Sequence, residues 1–97
     1  VHLKDVNAAV ADRLMAGELT LIQAVQADLF TPLGEGDVAV GDAIVALEQA
    51  GYTGWYILEQ DTALTDGVPE PGTGPVDDVR RSLEYLSSQV APRIPAR

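Results

Sequence analysis

Gly54-Trp55-Tyr56-Ile57-Leu58-Glu59, residues 54–59, is the stretch on which the fold turns. A short aromatic and β-branched run of this kind predicts a strand. Its near-continuous apolarity predicts burial on both faces, as in a parallel strand covered by helices. It comes only a few residues after Val40, Ile44 and Leu47, whose i, i+4 and i+7 spacing gives one apolar face of a helix over 40–50, closed by Gly51. A helix feeding a strand through so short a link belongs to α/β architectures with parallel strands.

Toward the N-terminus, Val1-His2-Leu3-Lys4-Asp5-Val6 alternates apolar and polar side chains, the period-2 pattern of a strand. A helical excursion over 7–30 follows: one helix over 8–16 ended by Gly17, and a second to about Leu29, opened by Thr20 with Gln23 three residues on, a capping-box pattern. Thr31-Pro32-Leu33-Gly34-Glu35-Gly36-Asp37 is a loop, because Pro32 lacks a donor and the glycines admit backbone angles other residues avoid.

Toward the C-terminus, a loop carrying Pro69, Pro71, Gly72, Gly74 and Pro75 leads into a last helix with Asp77 and Asp78 in its first turn, where negative charge favours the helix dipole. Val76, Val79, Leu83 and Leu86 are its expected buried stripe, and Pro92 and Pro95 mark an expected non-helical tail. The order strand, helices, strand, helix is incomplete for an isolated sheet, since two strands neither close a barrel nor cover both faces of a sheet. With Val1 in place of a methionine and a strand starting at once, the expectation is a piece of a longer polypeptide whose missing N-terminal strands come from elsewhere. Exposed strand edges and helix faces predict self-association, a homo-oligomer included, or partial disorder in solution.

Composition narrows the partners. Fifteen acidic against six basic residues give a net charge of −9, which repels nucleic-acid backbones and anionic membrane surfaces. There is no cysteine, so disulfides and thiolate metal sites are excluded and any metal is held by His, Asp, Glu or water. No apolar run reaches the roughly 20 residues of a membrane span and no signal-peptide pattern opens the chain, so a soluble, cytoplasmic protein is expected.

In parallel sheets and barrels, sites collect at the C-terminal ends of strands. Here His2, Lys4 and Asp5 close the first strand, and Glu59 and Asp61 close the second. His2, the one histidine, reads either as a metal ligand or as a hydrogen-bonded structural residue. A carboxylate ending so apolar a strand needs a partner, which for Glu59 is a metal ion or Lys4. Lys4 and Asp5 could equally pair with each other, and Asp61 could cap the following turn. Gly34-Glu35-Gly36-Asp37 lacks the Gly-Lys-Ser/Thr ending of a P-loop and the GxGxxG spacing of a dinucleotide fingerprint. Trp55 and Tyr52 read either as sugar-stacking rings or as core aromatics.

His-Leu-Lys-Asp-Val at 2–6, Leu-Gly-Glu-Gly-Asp at 33–37 and Gly-Tyr-Thr-Gly-Trp-Tyr-Ile-Leu-Glu-Gln-Asp at 51–61, in that order, resemble the last part of xylose isomerase-like TIM barrels, and most of all inosose dehydratases. The resemblance is strongest over 1–64 and looser over a final helix at 76–90. It implies the last two β/α units, the C-terminal quarter, of a (β/α)8 barrel. It also implies that His2 and Glu59 ligate one divalent ion, Mn²⁺ or Co²⁺, with the other ligands on strands absent here. By the same resemblance Glu59 and Lys4 are catalytic, Glu59 helping to move a proton and Lys4 serving as general acid, while Lys4, Asp5 and Asp61 bind a polyol or sugar substrate.

The implied reaction is removal of water from a keto-inositol, as in inositol catabolism, with a sugar isomerase or epimerase of the same fold as the alternative and an inert truncated piece as another. Ketose 3-epimerases of this kind carry an arginine soon after the histidine, where this chain has Asn7, Ala8 and Ala9, which disfavours the epimerase. Related DNA-repair endonucleases are opposed by the acidic charge and the single histidine.

Overall fold

The computed structural model describes residues 1–59, 61–64 and 67–94 and shows a mixed α/β chain. The expected first strand is divided at Lys4. β1 (His2–Leu3) pairs in parallel with β4 (Ile57–Leu58), whereas β2 (Asp5–Val6) pairs antiparallel with β3 (Phe30–Thr31). One extended segment therefore serves two ladders. Between these strands run α1 (Ala8–Met15), α2 (Leu21–Gln26) and α3 (Val40–Gln49), and α4 (Pro75–Tyr85) follows β4.

Local chemistry accounts for the helix ends. The Asn7 side chain accepts from Ala9 N and Val10 N at the start of α1, and the Thr20 and Gln23 side chains make the reciprocal capping box that the sequence pattern implies. α2 stops earlier than the expected Leu29 because Asp28 adopts φ 65°, a left-handed conformation that ends the helix and turns Leu29 inward. Leu29 then packs with Val10 and Ala24 in a small core under α1 and α2.

A second core gathers Leu3, Leu33, Val40, Ile44 and Val90, with Leu58 and Tyr85 packed against it. Two expectations about burial change here. Trp55 is 84% exposed and Ile57 47% exposed, so the 54–59 run is covered on one face only. Trp55 precedes β4 rather than lying in it, and its carbonyl, not its ring, is engaged, accepting from the Val1 ammonium at 3.0 Å.

The buried side of α4 is also rotated from the expected stripe. Ser82 is buried, and of the expected stripe Val79 is half-buried and Leu86, just past α4, packs against the second core, whereas Val76 and Leu83 are exposed. The cause is a polar contact: the Ser82 hydroxyl accepts the buried Leu33 N–H at 3.0 Å, turning that side of the helix toward the loop. Beyond Tyr85 the helix widens into a π turn at Leu86–Val90 and tightens into a 3-10 turn at Ala91–Arg93, so Pro92 sits in helical structure rather than in the expected tail. Pro95 lies outside the described residues.

Candidate functional site

Side chains alternate across a strand, and this alternation builds the site. In β1 and β4, Leu3 and Leu58 turn toward the helices and the core. The parallel register sets His2 opposite Ile57 and Leu3 opposite Leu58, and Glu59 N donates to Leu3 O at 3.0 Å, continuing the ladder. His2, Lys4 and Glu59 consequently share the opposite, open face.

They meet there. His2 Nδ1 contacts Glu59 Oε1, and Lys4 Nζ lies 2.8 Å from Glu59 Oε2 and 2.5 Å from Asp61 Oδ2. Of the alternatives left open by the sequence, Lys4 pairs with Glu59 and Asp61. Glu59 is not sealed in a dry core: its side chain is 35% exposed, within reach of a ligand. Hydrogen bonds donated to Asp61 first and Glu59 second hold the Lys4 ammonium above the ordinary lysine range. Glu59 is held below the usual carboxylate range, chiefly by Lys4 and then by His2. At neutral pH both members of the pair are therefore charged.

Asp5 is not brought to this cluster. Alternation sends it to the other side, where it is 0% exposed. Its Oδ1 accepts from Val6 N and Val38 N at 2.8 and 3.0 Å, and its Oδ2 from Gly34 N and Gly36 N at 2.9 and 3.1 Å. Gly34-Glu35-Gly36 is thus an anion-binding concavity filled by the chain's own carboxylate. Gly34 has φ 86°, and a Cβ on Gly36 would collide with the Asp5 carboxylate, which explains both glycines. Asp37 completes the arrangement by accepting from Ala8 N at 2.8 Å at the start of α1.

Sequence reasoning passed over Phe30. The antiparallel ladder carries it beneath the cluster, with Lys4 Nζ 4.3 Å from its ring centroid. The signal available was the strand-like Phe30-Thr31 pair just before Pro32, which the length assigned to the second helix obscured. As for a metal, His2 and Glu59 offer two donor atoms, and among the described residues no group of three or more His, Asp or Glu side chains is placed to hold an ion. Among the described residues, no helix is long and apolar enough to cross a membrane.

The fold and the cluster define an α/β chain with an imidazole, an ammonium and carboxylates gathered on the open face of a parallel strand pair, a set suited to polar small molecules. Its relatives are more specific. Over 68 residues, 68% of this chain, it is 40% identical to an inosose dehydratase of Geobacillus thermodenitrificans (strain NG80-2) and 37% identical to inosose dehydratase 1 of Bacillus cereus (strain ZK / E33L). The chain is inosose dehydratase-like over that span, and the match covers 23% of the length of each relative. No protein-family profile and no solved structure matches it.

Proposed function

We propose that this chain is the C-terminal quarter of a (β/α)8 barrel of the xylose isomerase-like kind, and that it contributes part of the active site of an inosose dehydratase-like hydro-lyase acting on a polyol ketone. The observation that carries the reading is the meeting of His2, in β1, and Glu59, just after its parallel partner β4, at the ends of the paired strands. The identity to inosose dehydratases supports the same reading.

The donor set fits half of a divalent site. An imidazole nitrogen and a carboxylate suit Mn²⁺ or Co²⁺, and the deficit of donors fits ligands supplied by strands that this chain lacks. A divalent ion held by His2 and Glu59 would polarise a substrate carbonyl and acidify the neighbouring C–H. Glu59, ionised at neutral pH, is competent both to ligate and to accept a proton. Lys4 is a cation held charged by Asp61 and Glu59, so it donates hydrogen bonds to hydroxyl oxygens. Drawing Glu59 away from Lys4 removes one of the two contacts that raise the lysine, which makes Lys4 a better proton donor to a departing hydroxyl. Asp61 is left to accept a substrate hydroxyl.

The test is calorimetric titration of Mn²⁺ and Co²⁺ into this chain and into a polypeptide extended to the length of the relatives, each beside His2→Ala and Glu59→Ala. Tight binding by the extended protein, weak binding by this chain and loss in both variants is the expected result. Binding indifferent to both substitutions would overturn the site assignment. Formation of a diketone and water from inosose by the extended protein separates the lyase from an isomerase.

A further inference from the structure

In the reaction proposed above, Lys4 has two tasks that pull against each other. Its ammonium must stay in place while Glu59 turns away from it, and it must remain free to give up a proton. Departure of the hydroxyl breaks a C–O bond whose electron pair leaves on oxygen. The Lys4 proton makes that oxygen water, while the proton taken from the neighbouring C–H stays on the accepting base.

The surroundings of Lys4 reconcile the two tasks. Its Nζ lies 2.8 Å from Glu59 Oε2, 2.5 Å from Asp61 Oδ2 and 4.3 Å from the centroid of the Phe30 ring. With Glu59 drawn off, Asp61 and Phe30 remain. Asp61 lies outside any helix or strand, with its side chain 50% exposed. Phe30 is the more firmly fixed of the pair: it is half-buried and packs against the core of Val10, Ala24 and Leu29. The antiparallel ladder sets it opposite Val6, two residues from Lys4 on the same side of the extended segment. Lys4 is thereby its diagonal neighbour, within aromatic reach. Thr31, the next residue, is paired with Asp5, which four backbone amides grip.

The chemistry of the ring suits this place. Its π face attracts a cation through the quadrupole and so opposes withdrawal of the ammonium. Yet a benzene ring takes up no proton at neutral pH, so it does not compete with the departing hydroxyl as a carboxylate in its position would. An aliphatic side chain would fill the same space and give the charge no such attraction. Resting on the reading above, we infer that Phe30 is the positioning residue for Lys4, holding its ammonium beside the strand-end cluster when Glu59 leaves it. The α1–α2–β3 excursion, which supplies neither of the proposed metal ligands, thus reaches the chemistry through one ring.

The experiment has two arms. In this chain, without metal, Glu59→Ala stands in for withdrawal of the carboxylate, and NMR relaxation at Nζ and the ε-methylene of Lys4 reads how firmly the side chain is held. Lys4 stays ordered in Glu59→Ala, is loosened when Phe30→Leu is added, and stays ordered when Phe30→Tyr is added instead. In the polypeptide extended to the length of the relatives, Phe30 is replaced by phenylalanines carrying one, two and three ring fluorines, which nearly keep its shape while draining the π face. The expected result is a stepwise fall of kcat for inosose dehydration, about tenfold across the series, with KM unchanged. Lys4 order indifferent to Phe30→Leu overturns the assignment, as does a kcat flat across the fluorinated series, which would leave Phe30 a packing residue. A loss carried by KM alone also overturns it, placing the ring against substrate instead of Lys4. An extended protein with no dehydratase activity overturns the proposed function, and the relaxation arm then still decides whether Phe30 holds Lys4.

Discussion

Replacing Asp5 by Asn separates the cradle role of this residue from any other. The two carboxylate oxygens divide the work evenly, Oδ1 taking Val6 N and Val38 N, and Oδ2 taking Gly34 N and Gly36 N. An amide retains one acceptor oxygen, so whichever way it turns, two backbone donors face an NH₂ group instead. A hydrogen bond to a charged group contributes about 1.5–3 kcal/mol, so losing two costs roughly 3–6 kcal/mol. Small domains have total stabilities near the low end of about 5–15 kcal/mol, and the substitution removes a large part of that. Urea denaturation followed by circular dichroism reads the loss as a lowered midpoint at unchanged slope. Amide hydrogen exchange at Gly34, Gly36 and Val38 reads it locally, with accelerated exchange ahead of α3. An Asp5→Asn chain within about 0.5 kcal/mol of the parent, with those amides still protected, would refute the cradle as a source of stability.

Ser82→Ala removes the acceptor for the buried Leu33 N–H and is expected to cost about 1–3 kcal/mol, read as a lower urea midpoint; an unchanged midpoint would show that the hydroxyl does not fix the rotation of α4. The Lys4–Glu59 pair carries a pH signature. Because Glu59 is lowered, its contribution is complete above the ordinary carboxylate range and is lost as pH falls through its depressed value. Because Lys4 is raised, its contribution is complete below the ordinary lysine range and is lost as pH rises through its elevated value. Stability should therefore show a plateau between those limits. Lys4→Met should shallow the slopes at both ends; identical profiles for the two proteins would show that the pair contributes nothing to folding.

Elements governed by local chemistry were legible in the sequence. The Thr20–Gln23 capping box, α3 and the helix carrying Asp77 and Asp78 in its first turn all rest on contacts a few residues apart. The coming together of His2, Lys4, Glu59 and Asp61 followed from strand-end polarity and the family resemblance. What the pattern could not carry were contacts between residues distant in sequence. Periodicity treats Val1–Val6 as one strand, yet Lys4 divides it because its two halves find different partners more than 20 residues apart in order, Ile57–Leu58 and Phe30–Thr31. Apolar spacing on α4 favoured Val76, Val79, Leu83 and Leu86 for burial, but the hydrogen bond from Leu33 N to Ser82 centres the covered side on Ser82, keeping Val79 and Leu86 half-buried and leaving Val76 and Leu83 exposed. Asp5, placed beside a lysine, resembled a site residue until the loop amides around 34–38 were brought to it.

The same alternation that hides Leu3 and Leu58 presents His2, Lys4 and Glu59, so packing and chemistry here are two readings of one register. A slip of β1 by one residue past β4 would turn its side chains to the other face, exposing Leu3 and setting His2 or Lys4 toward the core in its place. The penalty for an unpaired buried charge makes that state unfavourable, and the apolar core therefore fixes the geometry of the polar cluster as firmly as its own hydrogen bonds do. The Asp5 cradle adds a second anchor just beyond Lys4, through loop amides of Gly34, Gly36 and Val38. With Leu3 locked on one side of Lys4 and Asp5 on the other, the ammonium is held between two buried neighbours of opposite character. Its placement against Glu59, Asp61 and Phe30 is then a property of the fold, available before any ligand arrives.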